Sequence, residues 1–129
     1  MTDLSSGRPL RGVVVGHGSL AAALVEAAEQ ISGLRGALVP VSNMGCDRDS
    51  LEDRIVEAVG PGPAVVFVDM ASGSCLIAVL RRLRERPDVR VVTGVNLAML
   101  VDFVFHLALP PAEAADHAAT SGGKAIRIP

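Results

Sequence analysis

The sequence predicts an α/β domain with a doubly wound, mainly parallel sheet and helices on both faces. Strand-like and helix-like segments alternate four times along its 129 residues. The strand-like segments are apolar throughout, which is typical of strands covered on both faces. Glycine and proline stand between segments, where the chain must turn. Residues 11–129 are therefore expected to form one domain, and residues 1–10 a loose polar lead-in.

Four short runs rich in valine are the expected strands. Each is only five to seven residues long and carries no polar residue before its end, except Arg90 and Thr93 in the last. Length and β-branched content favour buried strands over helix segments. The runs are residues 12–16, 37–41, 64–69 and 89–95.

The first two helices are predicted from apolar residues at helical spacing. One follows Ser19, with Leu20 and Leu24 on its apolar face, and ends at Gly33. The second is expected to be capped by Asp49 or Ser50. Its inward residues are Leu51, Ile55 and Ala58.

Capping residues and prolines mark the later helices. Ser72 or Ser74 is the expected cap of the third helix, which Pro87 stops. The fourth helix is predicted over 97–109, after Asn96. A fifth, short helix is expected from the Pro110-Pro111 pair to the Gly122-Gly123 pair.

The strand order follows from the handedness of the connections. Right-handed crossovers favour a sheet in the order 2-1-3-4. The alternation of polar and apolar residues over 124–128 is consistent with an additional edge strand. In such a sheet a ligand binds beyond the carboxyl ends of the strands, where the winding reverses between the first and third strands.

Composition excludes several functional classes. Half of the residues are hydrophobic, only three are aromatic, and the formal net charge is −2. Such a chain is neither disordered nor suited to nucleic acid, because base-stacking surfaces need aromatic and basic side chains. The three aromatic residues are Phe67, Phe103 and Phe105.

No cofactor or metal is expected. Cys46 and Cys75 form neither a disulfide framework nor a zinc motif, and there is no Walker lysine or GxGxxG sequence. His106 and His117 are interpreted as structural or surface residues. No signal peptide is indicated, and the apolar run 97–109 is too short and too interrupted to span a bilayer, so a cytoplasmic location is expected.

The candidate site lies at the ends of the first and third strands. His17 follows one strand and Asp69 ends the other. Neighbouring strands lie about 4.8 Å apart, so the order 2-1-3 would bring the two side chains into contact.

The chemistry of this pair favours a nucleophilic imidazole. A carboxylate that accepts Nδ1–H fixes the tautomer and leaves the Nε2 lone pair free. His17-Gly18-Ser19 and Ser72-Gly73-Ser74 each lead into a helix N-terminus, which favours an anion. The combination suits transient phosphorylation of a histidine.

Three sequence blocks resemble one family, the mannose-type enzyme IIA domains of the bacterial phosphoenolpyruvate-dependent sugar phosphotransferase system. The blocks are GVVVGHGS (12–19), FVDMASGS (67–74) and VTGVNLAML (92–100). The resemblance covers residues 11–128. It implies a phosphotransferase subunit in which His17 accepts the phosphoryl group, Asp69 orients His17, and Ser74, with Ser72 as a further candidate, stabilises the phosphoryl group.

The resemblance also implies partners. His17 would receive phosphate from the phosphocarrier protein HPr and pass it to a IIB domain during sugar uptake, in association with the membrane components IIC and IID. Family members are dimers that exchange a C-terminal antiparallel strand, and residues 124–128 match that segment. The apolar helix 97–109 also fits a subunit contact.

Departures from the family pattern leave alternatives open. Ser72 replaces a glycine, Cys75 a proline and Ala98 a proline of the family motifs. These changes favour, as an alternative, a IIA-like domain phosphorylated for regulation and not for transport. Cys75 is interpreted as a small buried residue.

A third possibility is a small tetrapyrrole metal chelatase, a class that also opens with a strand and His-Gly-Ser. Gly94-Val95-Asn96 stands where that class carries a second histidine, and few aromatic residues are present to line a macrocycle pocket.

Overall fold

The computed structural model describes residues 9–129 and shows four strands alternating with helices. The predicted lead-in lies largely outside these residues, but Leu10 is buried in the core and donates its N–H to the carbonyl of Leu107. The elements are β1 (Arg11–Gly16), α1 (Leu20–Ser32), β2 (Leu38–Ser42), α2 (Arg48–Val59), β3 (Ala64–Val68), α3 (Ser74–Leu83), β4 (Val89–Thr93), α4 (Leu97–Val104) and α5 (Pro111–Lys124).

The sheet has the predicted order, β2-β1-β3-β4, and all of its pairings are parallel. In register, Val15 of β1 lies opposite Val41 of β2 and Val68 of β3. The carboxyl ends of these strands therefore meet at one edge, which places His17 and Asp69 on neighbouring strands.

The apolar strands are buried because each face of the sheet is covered by helices. Val14 and Phe67 face α1, α4 and α5, while Val13 and Val66 face α2 and α3. The ring of Phe67 meets that of Phe103 edge to face, with centroids 5.1 Å apart. Alternate residues of one strand thus pack into two separate cores, which is why the central strands carry no polar residue over 12–16 and 64–68.

Two predicted helix caps are wrong by a few residues. Asp47 caps α2, and its carboxylate accepts the N–H of Ser50 at 2.8 Å. Gly73 precedes α3 with a φ of +96° and contributes no side-chain cap, so neither predicted serine caps that helix.

The fourth and fifth helices differ in length from the prediction. α4 ends at Val104, because the N–H groups of Phe105 and His106 bond to carbonyls only three residues earlier. α5 continues through the glycine pair to Lys124. Gly122 packs closely on α4 there, since a Cβ at this position would lie 2.8 Å from Met99 Cε and 3.1 Å from Met99 Cβ.

The edge strand predicted for residues 124–128 does not form within this chain. Lys124 is the last residue of α5, and residues 125–129 form neither helix nor strand. The helical hydrogen bonds extend to Ala125, and Ile126 turns back to Gly123. Ile126 and Ile128 are left exposed.

Within residues 9–129, no helix combines the length and the apolar character that crossing a bilayer requires.

Candidate active site

The site is built at the carboxyl edge of the two central strands. His17 is the first residue after β1 and Asp69 the first after β3. The N–H of Asp69 bonds to the carbonyl of Val15, so the hydrogen-bond ladder between the strands continues to the base of the site. Both side chains are thereby carried on rigid backbone, although they are separated by 52 positions in the sequence.

The predicted contact between the two side chains is present and short. Nδ1 of His17 lies 2.6 Å from Oδ2 of Asp69. The same oxygen accepts the backbone N–H of His17 at 3.0 Å, and Oδ1 accepts the N–H of Met70 at 2.9 Å. The carboxylate is 7% exposed, whereas the imidazole is 48% exposed. The buried carboxylate of Asp69 accepts hydrogen bonds on both oxygens and thereby orients the accessible imidazole of His17.

This arrangement determines which ring nitrogen is available for chemistry. Asp69 receives its hydrogen bond from Nδ1, so Nδ1 carries the proton and Nε2 carries the lone pair in the neutral ring. Within residues 9–129, Nε2 of His17 has no hydrogen-bond partner. The arrangement therefore presents Nε2 as the nucleophilic nitrogen of an accessible imidazole.

The carboxylate remains ionised because its hydrogen bonds outweigh its burial. Burial opposes ionisation of Asp69. The hydrogen bonds from the side chain and backbone of His17, the charge interaction with that residue, and the N–H of Met70 act in the opposite direction and prevail. The pKa of Asp69 therefore lies below its ordinary value.

The lowered pKa predicts a specific dependence of stability on pH. A carboxyl whose pKa is lower in the folded state stabilises the fold above its unfolded pKa, and this contribution is lost as the pH falls through the folded pKa. We expect the free energy of unfolding of the wild type to exceed that of Asp69→Asn at pH 6, and the difference to shrink between about pH 5 and pH 2. Urea unfolding of both proteins across this range measures it. If the difference in free energy of unfolding stayed constant down to pH 2, the pKa of Asp69 would not be lowered in the folded state.

Two residues that the sequence reasoning missed hold the loop after His17. Gly18 adopts a φ of +59°, and its N–H donates to Oδ1 of Asn43 at 3.1 Å. The hydroxyl of Ser42 donates to the carbonyl of Gly18 at 2.7 Å. Ser42 ends β2, opposite Gly16 of β1. The rule that sites form at strand ends could have found both residues, had it been applied to the second strand.

The N-terminus of α3 lies beside the imidazole. Sγ of Cys75 is 3.8 Å from Nδ1 of His17, which brings the first turn of the helix to the site. Ser74 is the first residue of α3 and Ser72 lies in the preceding loop, and both are exposed. Among the described residues, neither hydroxyl is hydrogen-bonded to His17. The free N–H groups of the helix end make this region favourable for an anion.

Cys75 contributes packing instead of reactivity. Its side chain is buried in the core between the sheet and α2 and α3. Burial, and secondly the negative charge of Asp69, raises the pKa of the Cys75 thiol to about 11. A protonated, buried thiol is a poor nucleophile. The nitrogen, oxygen and sulfur donors of His17, Asp69 and Cys75 lie within 4.8 Å of one another.

The surface near the pair contains apolar side chains and a shallow cavity. Met44, Met70 and Ile77 are each more than half exposed. A cavity of about 380 Å³ opens beside α3 and is lined in part by Asn43, Ser74 and Ile77. Exposed apolar side chains next to a reactive group are typical of a surface that meets another protein.

Comparison with known proteins identifies relatives of this fold and sequence. The family model for the fructose IIA component of the phosphotransferase system, EIIA-man, matches residues 11–118. No curated protein sequence matches the chain.

Solved structures share the fold at low sequence identity. The phosphotransferase system component EIIA from Streptococcus agalactiae is 20% identical, with a TM-score of 0.84 over 92% of this chain and 96% of that one. The mannose/sorbose-specific IIA subunit from Enterococcus faecalis is 21% identical, with a TM-score of 0.81 over 94% and 95%. A sigma-54 interaction domain protein from Enterococcus faecalis is 13% identical, with a TM-score of 0.73 over 92% and 94%.

Proposed function

Because this chain belongs to the fructose/mannose-type IIA family of the phosphotransferase system, we propose that it is a phosphoryl carrier that reacts at Nε2 of His17. The donor is phosphorylated HPr and the acceptor is a IIB component. One observation carries the proposal: the 2.6 Å contact between Nδ1 of His17 and Asp69, which leaves Nε2 as the reactive nitrogen of an accessible ring.

The transfer step follows from this geometry. The Nε2 lone pair of His17 attacks phosphorus, the bond between phosphorus and the donor histidine breaks, and the electron pair of that bond returns to the donor ring. His17 then carries the phosphoryl group on Nε2 and a proton on Nδ1, so its ring becomes positive. The carboxylate of Asp69 stabilises that charge, and the reverse movement of electrons delivers the group to the next histidine.

The N-terminus of α3 is suited to hold the transferred group. The phosphoryl group is an anion, and the helix supplies unpaired N–H groups and the positive end of its dipole. The exposed hydroxyls of Ser74 and Ser72 flank Gly73 at the same helix end. We assign Ser74 to stabilisation of the phosphoryl group, with Ser72 as a second contributor.

The relay can be tested with purified components. We expect labelled phosphoenolpyruvate, enzyme I and HPr to transfer one phosphate per chain in an acid-labile, base-stable form, as phosphohistidine requires. Addition of the IIB proteins of the source genome should then remove the label from this chain within the time of a normal turnover. Omission of HPr is the control. Label that appears without HPr, or that is stable to acid, would contradict the proposal.

Regulation without transport is the second candidate, and the altered loop after Asp69 favours it. Ser72 and Cys75 replace residues of the family motif in the segment that a IIB partner would contact. In that case the chain would still be labelled by HPr but would retain the label in the presence of every IIB protein. The same assay therefore separates the two functions. Family membership argues against the chelatase alternative.

We also propose that the C-terminal segment, residues 125–128, pairs with a second copy of the chain. Ile126 is 80% exposed and Ile128 fully exposed, and burial of both against a partner would stabilise a dimer. Light scattering after size exclusion should give twice the chain mass for the wild type and the chain mass for an Ile126→Asp, Ile128→Asp double variant. A wild-type monomer, or a dimer that survives both substitutions, would refute this arrangement.

A further inference from the structure

Two histidines outside the phosphorylation site converge on one carboxylate between α4 and α5. Nδ1 of His117 lies 2.9 Å from Oδ2 of Asp102, and Nδ1 of His106 lies 3.7 Å from Oδ1 of the same residue. The two imidazole rings face each other, with centroids 4.0 Å apart and planes tilted by 36°. One donor atom from each of the three residues fits within 4.8 Å. Their sequence context indicates only structural or surface residues.

These distances resemble those inside a metal site. Zinc bound by imidazole nitrogen and carboxylate oxygen at about 2.0–2.1 Å in a tetrahedron separates its ligand atoms by about 3.3 Å. The distance from Nδ1 of His117 to Oδ2 of Asp102 (2.9 Å) and the distance from Nδ1 of His106 to Oδ1 (3.7 Å) lie on either side of that value. The His106 ring would have to turn for both nitrogens to bind one metal. Nδ1 of His106 now donates to the backbone carbonyl of Asp102 at 2.7 Å and would exchange this hydrogen bond for the metal.

The surroundings support a cation. The hydroxyl of Ser121 donates to Oδ1 of Asp102 at 2.9 Å, and a hydrogen bond of this kind orients a ligating carboxylate. A surface cavity of about 510 Å³ borders His117 and is also lined by Glu113, Asp116 and Lys124. The lining of this cavity therefore carries one more negative charge than positive. The cavity also gives solvent ions access to His117.

We propose that Asp102, His106 and His117 form a binding site for a divalent transition metal of the zinc class. The ligands are Nδ1 of each imidazole and one carboxylate oxygen of Asp102, and water completes the coordination. Each neutral ring moves its proton from Nδ1 to Nε2 when Nδ1 binds the metal. Imidazole with carboxylate favours zinc, nickel or copper over calcium and magnesium, which prefer sites made of oxygen.

Such a metal would link two helices that are separated by a loop. Asp102 lies in α4, His106 lies two residues beyond its end, and His117 lies in the middle of α5. A ligand that binds only the folded state stabilises it in proportion to the logarithm of its concentration. The metal would therefore fix α5, and with it the base of the C-terminal segment, against the rest of the domain.

The test is a calorimetric titration of the full chain, without an affinity tag, with zinc chloride at about pH 7.5. We expect one zinc ion per chain, and a rise in melting temperature of about 5 °C or more in excess zinc. His117→Ala, His106→Ala and Asp102→Asn should each weaken binding at least about tenfold. The imidazole ¹⁵N signals of His106 and His117 in the wild type should shift on zinc addition, which provides a readout that does not depend on the folding of any variant.

Two further variants separate this site from other zinc ligands. His17→Ala removes the imidazole of the site at the sheet edge, and Cys46→Ser removes the more accessible thiol; the tight zinc site should persist in both. Undiminished binding in a His106→Ala, His117→Ala double variant would overturn the proposal, as would loss of binding in His17→Ala or no binding up to about 1 mM zinc. None of these results bears on phosphoryl transfer.

Discussion

Replacing His17 with alanine is expected to abolish phosphoryl transfer through this chain, with at least about a 1,000-fold loss of labelling rate from phosphorylated HPr. The covalent intermediate cannot form without the Nε2 nucleophile, and no other histidine lies at this edge of the sheet in residues 9–129. The measurement is the initial rate of acid-labile ³²P incorporation in the reconstituted relay.

The fold should survive this substitution. The side chain of His17 is 48% exposed, and its main structural contact is the one with Asp69, whose carboxylate keeps the two backbone N–H donors. Loss of that hydrogen bond should cost about 1–2 kcal/mol of the free energy of unfolding. Gln30→Ala, at an exposed position of α1, is the control for labelling. Label at wild-type rate in folded His17→Ala would place the phosphorylated residue elsewhere.

Asp69→Asn should have the second largest effect, a loss of about 100-fold or more in the rate of phosphoryl transfer. Asparagine preserves the shape of the side chain but removes its charge, so the positive ring formed during transfer loses its stabilisation. The amide NH₂ can also donate to Nδ1, which would move the proton of His17 to Nε2 and block the nucleophile. Single-turnover labelling at saturating HPr measures the rate apart from docking.

A matched substitution separates the charge of Asp69 from general disturbance of the site. Asn43→Ala removes the hydrogen bond to the N–H of Gly18 but leaves the contact between His17 and Asp69 unchanged. We expect it to slow labelling by less than about tenfold, the size expected for one neutral hydrogen bond. Equal losses in the two variants would mean that Asp69 acts by holding the loop and not through its charge.

Most of the fold could be predicted from the sequence, because short segments of the chain carry the patterns that identify its strands and helices. The apolar runs identify strands covered on both faces, and the intervening helices permit only parallel, right-handed crossovers. The predicted ends of the last two helices were wrong, because tertiary packing and not the local sequence pattern determines where they end. The apolar sequence of 97–109 continues past Val104, but the helix ends there. The glycine pair at 122–123 predicts a helix end, but both glycines lie inside α5, where Gly122 packs closely on Met99.

The candidate site could be predicted in part for the same reason. His17 and Asp69 each end a strand, and the strand order alone made them neighbours. The same rule, applied to the second strand, places Ser42 and Asn43 at this edge, but nothing in their residue types indicates the hydrogen bonds that they make to Gly18. Residues 124–128 do not pair with the sheet of their own chain, because Lys124 belongs to α5 and residues 125–129 form no strand.

By itself the sequence determined the layered α/β architecture, the order of the strands and the pair of residues at the central edge. These features depend on composition and periodicity along the chain, and each short segment carries that information independently. Only the tertiary structure decided that two histidines lie close to Asp102, that Cys75 lies beside the imidazole of His17, and that α5 continues past its glycines. These contacts join residues far apart in sequence, and they depend on how closely helices approach one another, which the side-chain pattern of a single segment does not specify.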